Sequence, residues 1–218
     1  YHWTHLELKT AFGIEERLNP ETARAIYDKC NDLIANDPKF CPRGLMKHYG
    51  VELVCTTDDP ADSLEWHKMV KEDPTAEVRM LPTWRPDAGM NIEAATWKAY
   101  IEKLAAVAGM NIANFNDLVA ALQKRHDFFE SMGCRLSDHG IEEFYDEPYT
   151  DAEINAIFQK ALAGKALTTL EIRQYKHAYL HAQAEMDYAS GWTQQYHYGA
   201  IRNNNSKMFA QLGADTGF

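Results

Sequence analysis

Four short runs that read as strands, the first densely apolar and β-branched and the last the most polar, each ending in polar groups and separated from the next by helical patterns, constrain this chain more than any other feature. Residues 51–57 (VELVCTT) end in Asp58-Asp59-Pro60, and residues 78–84 (VRMLPTW) lead into Arg85-Pro86-Asp87. Residues 133–138 (GCRLSD) lead into His139-Gly140, and residues 192–198 (WTQQYHY) lead into Gly199 and then Arg202-Asn203-Asn204-Asn205. Dense β-branched runs bounded by turn residues read as strands. Between them, Asn19-Pro20 and Asp59-Pro60 each offer a cap followed by proline, predicting helices to about residues 35 and 70. Asn91 opens an alanine-rich stretch to about residue 108, stopped by Gly109, and Asn114 or Asn116 opens another to about 128–132. Thr150-x-x-Glu153 and Thr168-x-x-Glu171 fit the capping box, the second opening a helix to about residue 189 before Gly191. Strands alternating with helices pair in parallel through crossovers, so the expected class is α/β with about four parallel strands.

Composition excludes several functions. The chain has 218 residues, 22 Lys plus Arg against 32 Asp plus Glu, and a net charge of −10. An acidic chain lacks the basic face that neutralises phosphates, so nucleic acid is not an expected partner. No apolar run reaches the roughly 18 residues of a membrane span, so no membrane partner is expected either. At 45% hydrophobic and 25% charged residues, the chain is rich enough to bury a core without disulfides. Its four cysteines (Cys30, Cys41, Cys55, Cys134) form no CxxC pair and read as reduced thiols of a cytoplasmic protein. The chain starts at Tyr1 without methionine, and both ends read as cut within structure.

In parallel α/β folds the carboxyl ends of the strands form the working face. Here those ends carry Asp58, Trp84, Arg85, Asp87, Asp138, His139, His197 and Arg202. Arg85, between Trp84 and Pro86, could take a substrate carboxylate in a bidentate pair, or could make a structural salt bridge to Asp87. His197 could be a metal ligand or proton donor, or a hydrogen-bonded core histidine. Asp138-His139 could be a base with its partner, or cap a following helix. His177, His181 and Glu185 share a helix face but lack an HExxH pattern, and with Tyr175 and Tyr179 beside them they read as packing. His2 and His5 read as packing in an aromatic entry segment, and Pro42-Arg43-Gly44 as a plain turn. No P-loop, dinucleotide-binding glycine pattern or GxSxG elbow is present.

These stretches resemble uronate isomerase (glucuronate isomerase) of the amidohydrolase superfamily. The resemblance runs from YHWTHLEL and Phe12-Gly13-Ile14 through TTDDPADSLEWH (56–67), WRPD (84–87) and SDH (137–139) to GWTQQYHYGAIRNNN (191–205) and GADTGF. It implies a partial (β/α)8 barrel of the TIM type, with strands 51–57, 78–84, 133–138 and 192–198 as barrel strands two to five. Residues 1–218 would be one partial barrel domain, in which 1–50 and 141–190 are mainly helical insertions and 51–140 and 191–218 are strand–helix units. It implies interconversion of aldose and ketose uronates, glucuronate with fructuronate or galacturonate with tagaturonate, by proton transfer between C2 and C1. His197 matches the active-site histidine of the fifth strand, beside the metal. Arg85 matches a substrate-binding arginine, with Trp84, Asp87, Asp138, His139 and Arg202 forming the pocket wall or supporting it from behind. A divalent metal, zinc by preference, is implied for the full-length enzyme. Its HxH pair would precede Tyr1 and its last-strand aspartate would follow Phe218, so this segment is expected to bind metal weakly or not at all and to be inactive alone. Four strands leave sheet edges for helices or a second copy to cover, so a homo-oligomer is one expected partner arrangement. Two rivals stay open: a metal-dependent hydrolase of the same superfamily, and a non-catalytic helical module.

Overall fold

The structure, a computed structural model, describes residues 2–199, 203–214 and 216. In chain order it contains α1 (His2–Phe12), α2 (Ala23–Asn36), α3 (Pro42–His48), β1 (Leu53–Cys55), α4 (Glu65–Glu72), β2 (Arg79–Leu81) and α5 (Asp87–Met90). There follow α6 (Trp97–Ala108), α7 (Phe115–Ser131), β3 (Leu136–Ile141), α8 (Asp151–Leu162), α9 (Thr169–Ser190), β4 (Thr193–Tyr198) and α10 (Ser206–Leu212). The chain divides into two compact units, one of Tyr1–Val54 with Val70–Met80 and the other of Cys55–Met69 with Leu81–Phe218. The smaller unit packs Leu8, Ile14 and Ile26 into a core of its own.

The larger unit holds the parallel strand ends. β3 and β4 pair in parallel, with Ser137 opposite Gln194 and Gly140 opposite His197. Trp84 extends this arrangement by bridging in parallel to Ser137 on one side and to Asp58 on the other. Beyond β1 and β2 the pairing continues as single bonds, Thr56 N to Leu81 O at 3.1 Å and Asp58 N to Thr83 O at 3.0 Å. The strand ends therefore lie side by side in chain order. Helices α6, α7, α8 and α9 cover them with a core of Trp84, Trp97, Leu104, Leu118, Phe129, Phe158 and Tyr179.

The expected elements are present, with shifted ends that have local causes. Asn19 Oδ1 accepts from Glu21 N and Thr22 N, making a turn, and the helix proper begins at Ala23. Asp59 likewise accepts from Ala61 N, a local turn that delays α4 to Glu65. The stretch opened by Asn91 becomes helical only at Trp97, and the short α5 precedes it. Gly109 caps α6 in the left-handed region at φ 61°, as its position predicts. Both capping boxes, Thr150 with Glu153 and Thr168 with Glu171, are formed. Two readings need correction. Pro42-Arg43-Gly44 is the first turn of α3, with Cys41 Sγ accepting from Gly44 N, rather than a plain turn. The third strand runs from Leu136 to Ile141 instead of 133–138, because Gly133 N and Cys134 N still bond back to Glu130 O and Phe129 O at the end of α7. Ser137, Asp138 and His139 thus stand within the strand, and its alternation sends them to opposite faces.

Candidate active site

That alternation builds the site. Along β3, Ser137, His139 and Ile141 are buried, while Asp138 and Gly140 are half-exposed on the other face. Asp138 Oδ1 lies 2.7 Å from His197 Nδ1, on the neighbouring β4. A carboxylate only accepts, so Nδ1 donates and Nε2 keeps its lone pair. That lone pair accepts from Arg85 Nη2 at 3.0 Å. Arg85 Nε donates to Asp87 Oδ2 at 3.1 Å, and Nη1 stands 3.6 Å from Asp138 Oδ2. Asp87 Oδ2 also accepts from Gly140 N at 3.0 Å, which fixes the loop after β2 to β3. Gly140 must be glycine for this closeness, since a Cβ there would come 2.7 Å from both Arg85 Nη2 and His197 Nε2.

The cluster opens into a cavity of about 390 Å³, which Arg85, Asp87, Gly140, His197 and Asn203 line together with Glu93, Glu142, Tyr145 and Lys176. Of the five N–H donors of Arg85, the bonds to Asp87 and His197 use two, so donors remain for an incoming carboxylate. The salt bridge of Arg85 to Asp87 is formed, and it leaves the arginine on the cavity wall.

The structure brings together Arg85, Asp87, Asp138 and His197 and leaves two expected residues out. Trp84 is fully buried, its indole N–H donating to Gln183 Oε1 at 2.7 Å and its ring edge-on to His126 and Phe129. His139 is also fully buried, with Nε2 3.0 Å from Ser137 Oγ and its ring stacked on Tyr196. Both face the helical core, because odd and even positions of a strand point to opposite faces. Arg202 lies outside the described residues. Asp58 closes on itself through Thr56, whose Oγ1 donates to Asp58 Oδ2 at 2.6 Å and lies 2.7 Å from His67 Nε2. His177 Nδ1 bonds the Glu147 carbonyl oxygen at 2.8 Å, consistent with packing.

Behind the site lies a polar network that the motifs alone do not reveal. Asp187 on α9 accepts from Ser137 Oγ at 2.6 Å, from Gln194 Nε2 at 3.0 Å and from His126 Nε2 at 3.0 Å. It thereby joins β3, β4 and α7. Burial alone would raise the Asp187 carboxyl, but the hydrogen bonds from His126, Ser137 and Gln194 outweigh it and hold the group well below the usual carboxylate range. The signal was in the spacing: Tyr175, Tyr179, Gln183 and Asp187 recur every four residues and all are buried.

Among the described residues no group of three or more His, Cys, Asp and Glu side chains could hold a metal ion. His197 Nε2, the lone pair a metal would take, is turned to the Arg85 guanidinium. The described residues thus do not make a complete site for a divalent metal.

A charged cavity at the carboxyl ends of consecutive parallel strands, covered by helices, is the arrangement of an α/β enzyme. The family described as glucuronate isomerase matches residues 1–218. The uronate isomerase of Bacteroides thetaiotaomicron is 62% identical over 219 residues, covering all of this chain and 46% of that protein. That of Cellvibrio japonicus is 51% identical, again over 46% of its length. In structure, the chain is similar to uronate isomerase from Thermotoga maritima, with a TM-score of 0.92 at 34% identity over all of this chain and 47% of that one. It is also similar to glucuronate isomerase from Caulobacter crescentus, with a TM-score of 0.88 at 26% identity over 99% of this chain and 44% of that one. The chain belongs to the glucuronate isomerase family. It spans under half the length of the curated relatives it matches.

Proposed function

We propose that the full-length protein carrying this chain interconverts aldose and ketose uronates, D-glucuronate with D-fructuronate and D-galacturonate with D-tagaturonate. The observation that carries this reading is the Arg85–Asp87–Asp138–His197 cluster opening into one cavity at the strand ends. The isomerisation takes a proton from C2, delivers one to C1 and passes through an enediol-like intermediate, so it needs both a held substrate and groups that handle protons. Arg85 anchors the sugar-acid carboxylate by its remaining N–H donors, which presents C1 and C2 to the cavity wall. Asp138 fixes the His197 ring through Nδ1, and Nε2, which accepts from Arg85 Nη2 in the free site, can take a proton or a hydroxyl hydrogen bond once substrate draws that N–H away. Asp87 holds the guanidinium plane from the other side.

The strand ends in chain order and the similar structures support a partial (β/α)8 barrel of the amidohydrolase superfamily. A divalent metal, zinc by preference, would polarise the substrate oxygens in the full-length enzyme, and the described residues offer it no complete ligand set. Four cysteines in free form support a cytoplasmic setting, and a second copy of the chain is a candidate to cover open sheet edges. No helix among the described residues is long and apolar enough to cross a membrane.

The test is incubation of the full-length protein with D-glucuronate and detection of both sugars. Ketose formed mole for mole with aldose lost, without water uptake, is the expected result. Release of a hydrolysis product from an ester or amide substrate, with no isomerisation, would instead favour the hydrolase reading.

A further inference from the structure

We propose that the Lys176–Glu93 ion pair is a second contact for the sugar acid, one that reads the configuration of hydroxyl groups beyond the two reacting carbons. This rests on the uronate reading above and assigns specificity within the same cavity. Lys176 on α9 is only 9% exposed, yet it lines the cavity shared with Arg85 and His197. Its ammonium pairs with the Glu93 carboxylate and stands 5.6 Å from the centre of the Tyr145 ring. Burying a lysine is costly unless it is paired, and the solvated faces of α9 were open to it.

The neighbours of Lys176 show that its place is fixed. Tyr175 OH donates to Gly89 O at 2.8 Å and Tyr179 OH donates to Pro86 O at 2.8 Å. Trp97 Nε1 donates to the same Gly89 oxygen at 2.9 Å. These bonds clamp α9 against the segment that directly follows Arg85, so Lys176 and Arg85 belong to one rigid wall. The other lysine and arginine ion pairs that α9 makes among the described residues, Arg173 with Glu143 and Glu147 and Glu171 with Lys160, do not border the cavity.

The chemistry of the pair suits hydroxyl groups. The ammonium carries three N–H donors and the bond to Glu93 uses one, while the Glu93 side chain is 41% exposed and keeps acceptor capacity toward the cavity. A donor and an acceptor side by side complement a sugar hydroxyl, which both accepts and donates. An epimer with that hydroxyl inverted would leave the remaining N–H donors of the buried Lys176 ammonium without an acceptor, and unsatisfied buried donors are what let polar sites discriminate. The cavity volume of about 390 Å³ lies within the range of small-molecule sites, and both Arg85 and Lys176 line it.

The experiment compares kcat/KM for D-glucuronate and D-galacturonate, which differ at C4, in the full-length protein and its Lys176→Met, Glu93→Gln and Lys176→Arg variants. The ratio of the two constants is read within one preparation, so a loss of folded protein cancels. The expected result is a ratio that moves about tenfold toward one in Lys176→Met and Glu93→Gln and is largely restored in Lys176→Arg. If Lys176→Met does not fold, Glu93→Gln, at the partly exposed end of the pair, decides. A wild-type ratio already within twofold of one, or variants that lower both constants equally, overturns the inference. A wild-type protein that turns over neither sugar overturns the uronate reading itself, so the two failures are distinct.

Discussion

Replacing Asp187 with alanine removes the acceptor at the centre of the network that ties β3, β4 and α7 together. Three donors lose their partner: His126 Nε2, Ser137 Oγ and Gln194 Nε2. Gln194 is half-buried and can turn to water, whereas His126 and Ser137 are fully buried and cannot. Each orphaned buried donor costs about 1–3 kcal/mol, and more where the acceptor it loses is a charged carboxylate. The expected loss is therefore about 3–5 kcal/mol, a large fraction of the 5–15 kcal/mol typical of a folded protein. Urea unfolding of the full-length protein and of the variant, followed by circular dichroism, measures it as a lower midpoint at similar slope. A loss under about 1 kcal/mol would refute the reasoning, because the three hydrogen bonds would then contribute nothing net. Acid gives a second readout. The Asp187 carboxyl is held below its ordinary value, so its stabilisation is fully present above the unfolded value near 3.9 and is lost as pH falls below it. Asp187→Asn has no such group, so its stability should fall less steeply than the wild type's between about pH 5 and pH 2.

Gly140→Ala should leave the fold intact and damage the site. The added Cβ meets side-chain ends rather than backbone, Arg85 Nη2 and His197 Nε2 at 2.7 Å each and Asp87 Oδ2 at 3.2 Å, so the melting temperature should change little while kcat/KM falls about tenfold or more. Equal activity in Gly140→Ala would show that the close approach of these two side chains is unnecessary. Cys134 should resist alkylation, since burial pushes its thiol up to about 11, whereas the exposed Cys41 and Cys55 should react first. Mass spectrometry of the native protein after iodoacetamide treatment at pH 8 distinguishes them. His197→Ala should lower kcat by about 10²-fold or more with KM less affected, as expected for a group that handles protons.

Much of this was legible in the chain, and the gaps have physical causes. The strand ends were readable because short runs, the first of them densely β-branched, stop at proline or glycine, and Arg85, Asp87, Asp138 and His197 could be picked out as polar groups at those stops. The face each residue occupies was not readable at Trp84 and His139. A strand alternates every residue, so placing its start at Gly133 rather than Leu136 hides which of Ser137, Asp138 and His139 turns toward the cavity. Turns at Asn19 and Asp59 satisfy their own backbone donors locally, and that competition delays the helices beyond their apparent caps. Lys176 and Glu93 escaped notice because they are 83 residues apart and meet only when α9 packs on the segment after β2.

In the proposed function, Arg85 holds the sugar acid in the cavity it shares with His197. Steady-state kinetics of D-glucuronate isomerisation by the full-length protein and its Arg85→Ala variant test it most directly. A charged hydrogen-bonded anchor is worth about 1.5–3 kcal/mol, so KM should rise about 10- to 100-fold with kcat changed much less. A KM within twofold of the wild type would contradict the account.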